Sequence, residues 1–552
     1  MGDTVKVFFP GGKTAEAARG TPVSALAGNF GALQSPLAAV KMGNRILPLS
    51  ARLEINSRIE PVCIDSPEGA DIYRRSLAFL LSIAARELFP GRRLVIGHSL
   101  GHSYYYSFQD GKIPGKGEIE SLGAKMLSLA AESLPVTAEY LSFAEAEEIF
   151  RESGQADTLL LLERQNKAAV QVNVCRGHVN LYIGPLVPDT GMLSVFELMA
   201  YEQGILLRFP GDGSKIIDPF ADTPRLFSVY REYKKWGRIV GLRSAGELNR
   251  MVTEKTVKDF IRIAEAFQEK KLNEIADSIY QRRNNIKAIL LAGPSSSGKT
   301  TTAKRLSIDL MVMGIKPIAI SLDDYYGDSS KTPLDENGRP DYECLEALDV
   351  PYLNRQLLSL FNGEEVTLPV YDFKTGRRKE SGGRRIRMER RSVLIIEGIH
   401  GLNDRLTGQI DRGVKFKLYV SALTQLGLDE CNRIPTTDNR LLRRIVRDSQ
   451  FRGVGASWTI RQWPSVQRGA WKHIFSFQDS ADEIFNSALD YEIPVLKFFA
   501  EPLLRSIRPD EAEYPEAFRL LSFLDYFAPI SPHLVPGQSI LREFIGGSEF
   551  KY

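Results

Sequence analysis

Cysteine is scarce: Cys63, Cys175, Cys344 and Cys431 are the four in a chain of 552 residues. None forms a C-x-x-C pair, which excludes a disulfide framework and a cysteine-rich zinc module. Charge of one sign is also lacking. Lys and Arg number 71 against 68 Asp and Glu, a net charge of +3, so no global case exists for nucleic acid or a membrane surface. The apolar stretch 77–85 stops at Arg86, too short to cross a bilayer. Met1-Gly-Asp-Thr-Val-Lys has no apolar signal run, and Lys6 stands where an acylation motif wants Ser or Thr. Internal repeats and long low-complexity segments are missing. What remains is ordinary for packed domains, 43% hydrophobic and 25% charged, with length for about three or four of them. A cytoplasmic enzyme without membrane association is the expectation.

The most informative stretch present is Gly293-Pro-Ser-Ser-Ser-Gly298-Lys299-Thr300. It fits G-x-x-x-x-G-K-[ST], in which glycines let backbone N–H groups close around phosphate oxygens. Ser295, Ser296, Ser297 and Thr301 complete the loop and its helical exit. Lys299 would reach the outer phosphates and the Thr300 hydroxyl a Mg²⁺ ion. Context supports the match. Ala288-Ile-Leu-Leu-Ala292 before it suits a buried strand, and Thr301-Thr-Ala-Lys-Arg-Leu306 after it suits a helix whose N-terminus favours anions.

Two further apolar runs end in acids. Pro317-Ile-Ala-Ile-Ser-Leu322 leads into Asp323-Asp324-Tyr325-Tyr326, and Arg391-Ser-Val-Leu-Ile-Ile leads into Glu397-Gly398. In a parallel sheet such strand ends face the ligand crevice. Asp323 could there accept a proton from an attacking hydroxyl, and Glu397 could act on Mg²⁺. Farther on, Arg440, Arg443, Arg444 and Arg447 share one face of an expected helix. Two readings fit them: solvated arginines on an amphipathic surface, or a lid stabilising charge on a transferring phosphoryl group.

With these motifs in order, residues 285–500 resemble uridine kinase of the uridine kinase/phosphoribulokinase family. Asp341-Tyr-Glu343-Cys344-Leu-Glu-Ala347 and Pro369-Val-Tyr371-Asp372-Phe-Lys-Thr-Gly376-Arg377-Arg378 also match. The resemblance implies a P-loop kinase fold and transfer of the γ-phosphoryl of ATP (or GTP), with Mg²⁺, to a nucleoside 5′-hydroxyl. It implies Asp323 as general base, Glu343 on the ribose, Tyr371 against the base and Arg443, Arg444 and Arg447 in a lid. It also sets Tyr326 and Arg378 on the acceptor side. Two departures leave the base open. Glu343-Cys344 replaces the usual Asp-His, and Gly376 replaces a base-contacting histidine. The basic run 374–391, nine Lys/Arg in eighteen residues, is expected to be a solvated hairpin beside the acceptor rather than a nucleic-acid patch, since few aromatics interleave it.

Residues 1–215 resemble the front of threonyl-tRNA synthetase: a small β-grasp TGS-like domain at 1–64 and an α+β editing-like domain at 65–215. Ile72-Tyr-Arg-Arg75-Ser-Leu-Ala-Phe79, Tyr104-Tyr-Tyr-Ser-Phe108 and Gly184-Pro-Leu-Val-Pro188 carry the likeness. The synthetase's H-x-x-x-H pair falls on Arg75 and Phe79, and its C-x-x-x-H pair on Tyr182 and Leu186. No editing hydrolysis is therefore expected. His98, His102, Cys175 and His178 have ligand-like spacing, with loop or satisfied core histidines as the first reading and a metal as the alternative. His400 is expected to be structural or near the nucleoside.

A helical connector is expected at 216–284, continuous through 245–280, after a loop at Gly211-Asp-Gly-Ser214. The α/β kinase segment, a doubly wound parallel sheet, follows at 285–500. The tail 501–552 is expected to pack on another domain or on a second copy in a homo-oligomer. Two other functions remain open: a nucleotide-responsive RNA- or ribosome-binding protein, and the same chemistry on another small acceptor.

Overall fold

The computed structural model describes residues 4–211, 214–334, 338, 340–372, 375–379 and 382–551. Parts of the Gly211-Asp-Gly-Ser and Phe373-Lys374 readings thus lie outside the described residues.

Residues 4–63 form a mixed five-stranded sheet in the order Thr14–Ala18, Thr4–Phe8, Ser57–Cys63, Leu37–Met42, Arg45–Leu47. The first hairpin turns at Gly11 and Gly12, both with positive φ (76° and 82°), which glycine adopts without strain. Alternate residues Val5 and Val7 point into a small core with Val23, Val40 and Ile59. The segment after Pro22 is a 3-10 helix (Val23–Phe30) without a side-chain cap.

The next region sets the helices Pro67–Leu88 and Lys116–Ala131 against a four-stranded antiparallel sheet, with a separate three-stranded sheet beyond. Ser66 caps the first helix by accepting from the Gly69 amide. The connector is three helices, Pro224–Val240, Ala245–Thr253 and Val257–Gln281. The helix expected through 245–280 breaks because Lys255 takes φ of 62°, outside the helical region.

The kinase-like segment holds five parallel strands. They are β1 (Ala288–Ala292), β2 (Lys316–Ser321), β3 (Ser392–Glu397), β4 (Lys415–Ser421) and β5 (Glu483–Asn486), in the sheet order β2-β3-β1-β4-β5. β1 is buried throughout and feeds two cores: Ile289 and Leu291 face one side, Leu290 the other. On the first side lie α1 (Lys299–Val312) and the connector helix Val257–Gln281; on the other lies α2 (Val350–Phe361). Three helices complete the surroundings: α3 (Thr436–Arg452), α4 (Ala456–His473) and α5 (Glu492–Arg505).

The boundary expected at 500/501 falls inside α5. Leu520, Phe523, Phe527, Ile540 and Phe544 of the tail enter the same core as β1 and α1, so the tail packs on its own chain. The front of the chain is equally tied in. The kinase-side segment around 427–433 runs against the editing-like region: the Ile96 amide donates to the Glu430 carbonyl at 3.0 Å, Arg93 pairs with Glu430 at 2.8 Å, and Asn432 donates to the Leu181 carbonyl at 2.8 Å. Among the described residues, no helix is long and apolar enough to cross a membrane.

Candidate active site

The parallel register brings three strand ends to one edge. Glu397 closes β3 level with Leu291 of β1 and Ser321 of β2. The loop after β1 and the 3-10 turn Leu322–Tyr325 after β2 leave from that same edge. This is the edge where open parallel sheets bind ligands.

The loop's shape depends on its glycines. A Cβ on Gly293 would lie 2.0 Å from the Val420 carbonyl oxygen, so no side chain fits there. Gly298 takes φ of 80° as it opens α1. Ser296 also takes positive φ, 60°, a strained choice for a residue with a Cβ that is held by bonds from behind. The Ser295 carbonyl accepts from Arg440 at 3.0 Å and the Ser295 hydroxyl oxygen from Arg444 at 2.8 Å. The Ser296 carbonyl accepts from Arg443 at 3.4 Å, and the Ser297 carbonyl from the Ser487 hydroxyl at 2.5 Å.

Inside the loop, the Thr300 hydroxyl donates to Glu397 at 2.8 Å, so the two expected Mg²⁺ ligands meet. Burial pushes the Glu397 carboxyl up to about 7, against the pull of Lys299 and Thr300. The Lys299 ammonium donates to the Pro294 carbonyl at 3.2 Å. Burial lowers its pKa, while Glu397, Asp323 and Glu543 draw it back up. Asp323 is exposed to solvent, although protein crowds its carboxyl closely enough to desolvate it in part. That desolvation raises its carboxyl, opposed by Lys299, Arg452 and Arg447. Lys299 and Asp323 are thus near enough for each charge to act on the other.

Among the residues expected near the acceptor, burial raises Glu343, with Arg444 and Lys299 opposing. Glu343 packs against Gly469 of α4, where a Cβ would come within 2.7 Å of its own Cβ. The Tyr326 ring lies 5.5 Å from that of Tyr371, and its hydroxyl donates to the Tyr342 carbonyl at 2.9 Å. Arg378 turns inward: it donates to Asp349 at 3.1 Å and to the Tyr325 and Tyr326 carbonyls at 3.2 Å each. It pins the turn after β2 instead of facing a ligand. Of the basic run, Arg377, Arg385 and Arg387 are exposed on short antiparallel pairs.

Gly376 has φ of 68°, and a Cβ there would lie 2.3 Å from the Ser329 hydroxyl oxygen. A histidine at that position would have to displace Ser329. His400 is buried, with its ring 5.7 Å from that of His473.

The arginine helix differs from both sequence readings. Arg440 and Arg443 are 1% and 0% exposed, neither solvated nor free to swing as a lid. Arg443 pairs with the buried Glu492 at 2.5 Å and donates to the Ser487 carbonyl at 2.9 Å. Arg444 and Arg447 both pair with the buried Asp448 (3.3 and 3.0 Å). These four brace the loop and its rim. Sequence reasoning missed Arg452, one turn beyond Asp448 on the same face, half-exposed and within electrostatic reach of Asp323. It also missed Glu492, whose only sequence signal is an acid opening an apolar helix.

The editing-like region is closed. Phe79, Tyr182 and Leu186 are buried, with the Phe79 and Tyr182 rings 5.6 Å apart. Arg75 donates to the Pro185 carbonyl at 2.7 Å. The four ligand-spaced residues do not converge. His98 is buried beside Tyr230, its pKa lowered by burial to about 3. His102 stacks on Trp471 at 5.5 Å, Cys175 is buried, and His178 lies 3.4 Å from Glu87. Among the described residues, no three His, Cys, Asp or Glu side chains gather as a cation site.

Residues 288–494 match the model of the phosphoribulokinase / uridine kinase family. The N-terminal region is similar to threonine–tRNA ligases. That of Desulfovibrio desulfuricans is 35% identical over 163 residues, covering 29% of this chain and 25% of the relative. The threonine–tRNA ligase 2 of Bacillus subtilis is 28% identical over 200 residues, covering 36% and 31%. The chain thus spans about a quarter to a third of the length of these relatives. Among solved structures, it resembles one titled a possible uridine kinase from Bacillus stearothermophilus at 20% identity and TM-score 0.22, covering 38% of this chain and all (100%) of that one. It also resembles D-glycerate 3-kinase from Cryptococcus neoformans at 14% identity and TM-score 0.22, covering 46% and 87%.

Proposed function

From a chain whose residues 288–494 are those of a phosphoribulokinase / uridine kinase family domain, we propose an ATP-dependent kinase that phosphorylates the 5′-hydroxyl of a nucleoside. The observation that carries this reading is that Lys299 and Asp323 leave the same sheet edge, near enough for each charge to act on the other.

In this mechanism the loop amides and Lys299 hold the β and γ phosphates of the donor. Asp323 orients the acceptor hydroxyl and takes its proton, a task for which a desolvated, raised carboxyl is suited. Thr300 and Glu397 fit a Mg²⁺ ion: their oxygens lie 2.8 Å apart, and a cation there would stabilise the ionised Glu397 carboxylate that burial disfavours. When bound, the ion would neutralise phosphate charge. Glu343 binds ribose hydroxyls, and Tyr326 and Tyr371 offer ring faces to the base. Arg444 and Arg447, at the rim, add positive potential at the transferring group.

A second reading keeps the chemistry and changes the acceptor. Gly376 favours it, because the space for a base-contacting histidine is taken by Ser329. Incubating the protein with Mg·ATP and a panel of nucleosides, sugar phosphates and pantothenate, with products identified by mass, separates the two. A nucleoside 5′-monophosphate is expected; ADP formation with only a non-nucleoside acceptor selects the second, and no acceptor-dependent ADP removes both.

A further inference from the structure

The tail, which the sequence left without chemistry, reaches the phosphate loop. Glu543 lies in a short helix, Arg542–Ile545, and its carboxylate meets the first turn of α1. It accepts from the Thr301 amide at 3.1 Å and from the Thr301 hydroxyl at 2.6 Å. Ile540 is packed against Gly298, where a Cβ would come within 2.6 Å of it. Phe544 lies beneath the Arg443 guanidinium, 4.9 Å from ring centre to carbon. Ile540 and Phe544 are fully buried, so this segment is docked firmly against the loop.

The amides of a helix's first turn have no partner within the helix and attract anions. After a glycine-rich loop they are the donors a nucleotide phosphate uses. Glu543 already holds both donors of Thr301. A phosphate cannot share them with a carboxylate, and two anions so close repel in a cleft that also holds Glu397 and Asp323. Glu543 further acts on Lys299, partly satisfying the cation that the phosphates require. The segment carries bonds of its own: the Glu549 amide donates to the Gly537 carbonyl at 3.0 Å and Arg542 to the Gly546 carbonyl at 3.2 Å, while Arg542 also donates to the Pro532 carbonyl just ahead of it at 3.0 Å.

We propose that residues 537–549 form an autoinhibitory strap in which the Glu543 carboxylate stands in for a nucleotide phosphate on Thr301. A nucleoside di- or triphosphate seats fully only after the strap lifts. This rests on the kinase reading of the same loop.

The test uses the full chain. Mg·ADP and Mg·ATP are titrated calorimetrically into the natural protein, Glu543→Gln, Glu543→Ala and Lys299→Ala, and amide exchange is followed with and without Mg·ADP. Both Glu543 variants are expected to bind about tenfold or more tighter, the scale of one charge-assisted hydrogen bond no longer competing. In the natural protein, Mg·ADP should speed exchange across 537–549 while slowing it across 293–301. Equal or weaker binding by the Glu543 variants, with Lys299→Ala still abolishing it, overturns the strap alone. So does slower exchange at 537–549, which would make the tail a clamp on the nucleotide. Absence of saturable binding in the natural protein and both Glu543 variants overturns the strap and the kinase reading together.

Discussion

Two regions of this chain hold the positions at which its resemblance to known families implies reactive groups, and their packing is opposite. At the sheet edge, Lys299, Asp323 and Glu397 act on one another's charge, and desolvation opposes the charged form of each. In the editing-like region, the equivalent positions hold Phe79, Tyr182 and Leu186 in contact with the core, while Arg75 is satisfied by a backbone carbonyl. The first region holds charge at a cost to ionisation, which folding alone would not favour. The second has become ordinary core. Substitutions at the first should therefore change chemistry, and at the second, stability.

The largest effect is expected at the sheet edge. Asp323→Asn should lower kcat by about 10²–10⁴-fold, the range for a lost general base, while nucleotide affinity measured calorimetrically stays near that of the natural protein. Full activity would remove Asp323 from the mechanism and break the contrast. Next, Phe79→Ala in the closed region should cost about 3–5 kcal/mol of stability, read from denaturant unfolding, and leave KM for donor and acceptor unchanged. A KM change there would mean that the two regions communicate.

A smaller effect is expected at the acceptor loop. Gly376→His should destabilise by about 1–3 kcal/mol, because a side chain must adopt positive φ and displace Ser329, and should not create a preference for pyrimidines. A gain of pyrimidine selectivity would show that the loop opens in the acceptor complex.

The smallest concerns a raised carboxyl away from the cleft. Burial, with help from Glu269 and against Arg305, pushes Asp309 up to about 6. Its folded-state pKa exceeds the unfolded one, so its contribution to stability is complete below about pH 4 and is lost as pH rises through about 6. Asp309→Asn should then match the natural protein near pH 4 and exceed it by about 1–2 kcal/mol at pH 8, with kcat unchanged. Melting curves across that range check the sign, and show that a shifted carboxyl alone does not mark the active cleft.

The legible parts of the fold were those with strong local patterns. The buried runs of β1 and β3 and the loop between Gly293 and Thr300 each combine composition and spacing in a few residues, and short-range sterics leave them little choice. The break at Lys255 was hidden because helical periodicity continues through it. The arginine helix was misread for a related reason. Its spacing places four guanidinium groups on one face but cannot say whether that face meets water or a buried acid.

The sequence by itself determined the chemistry available at the sheet edge: which side chains leave the strand ends and which loop can accept phosphates, since these follow from residue type and local backbone. Tertiary structure decided which groups are spoken for. Glu492 and Asp448 hold the arginines, Ser329 fills the place beside Gly376, and Glu543 arrives at Thr301 from 242 residues away. Such pairings depend on how distant segments pack into one core, and no local pattern in the chain carries that information.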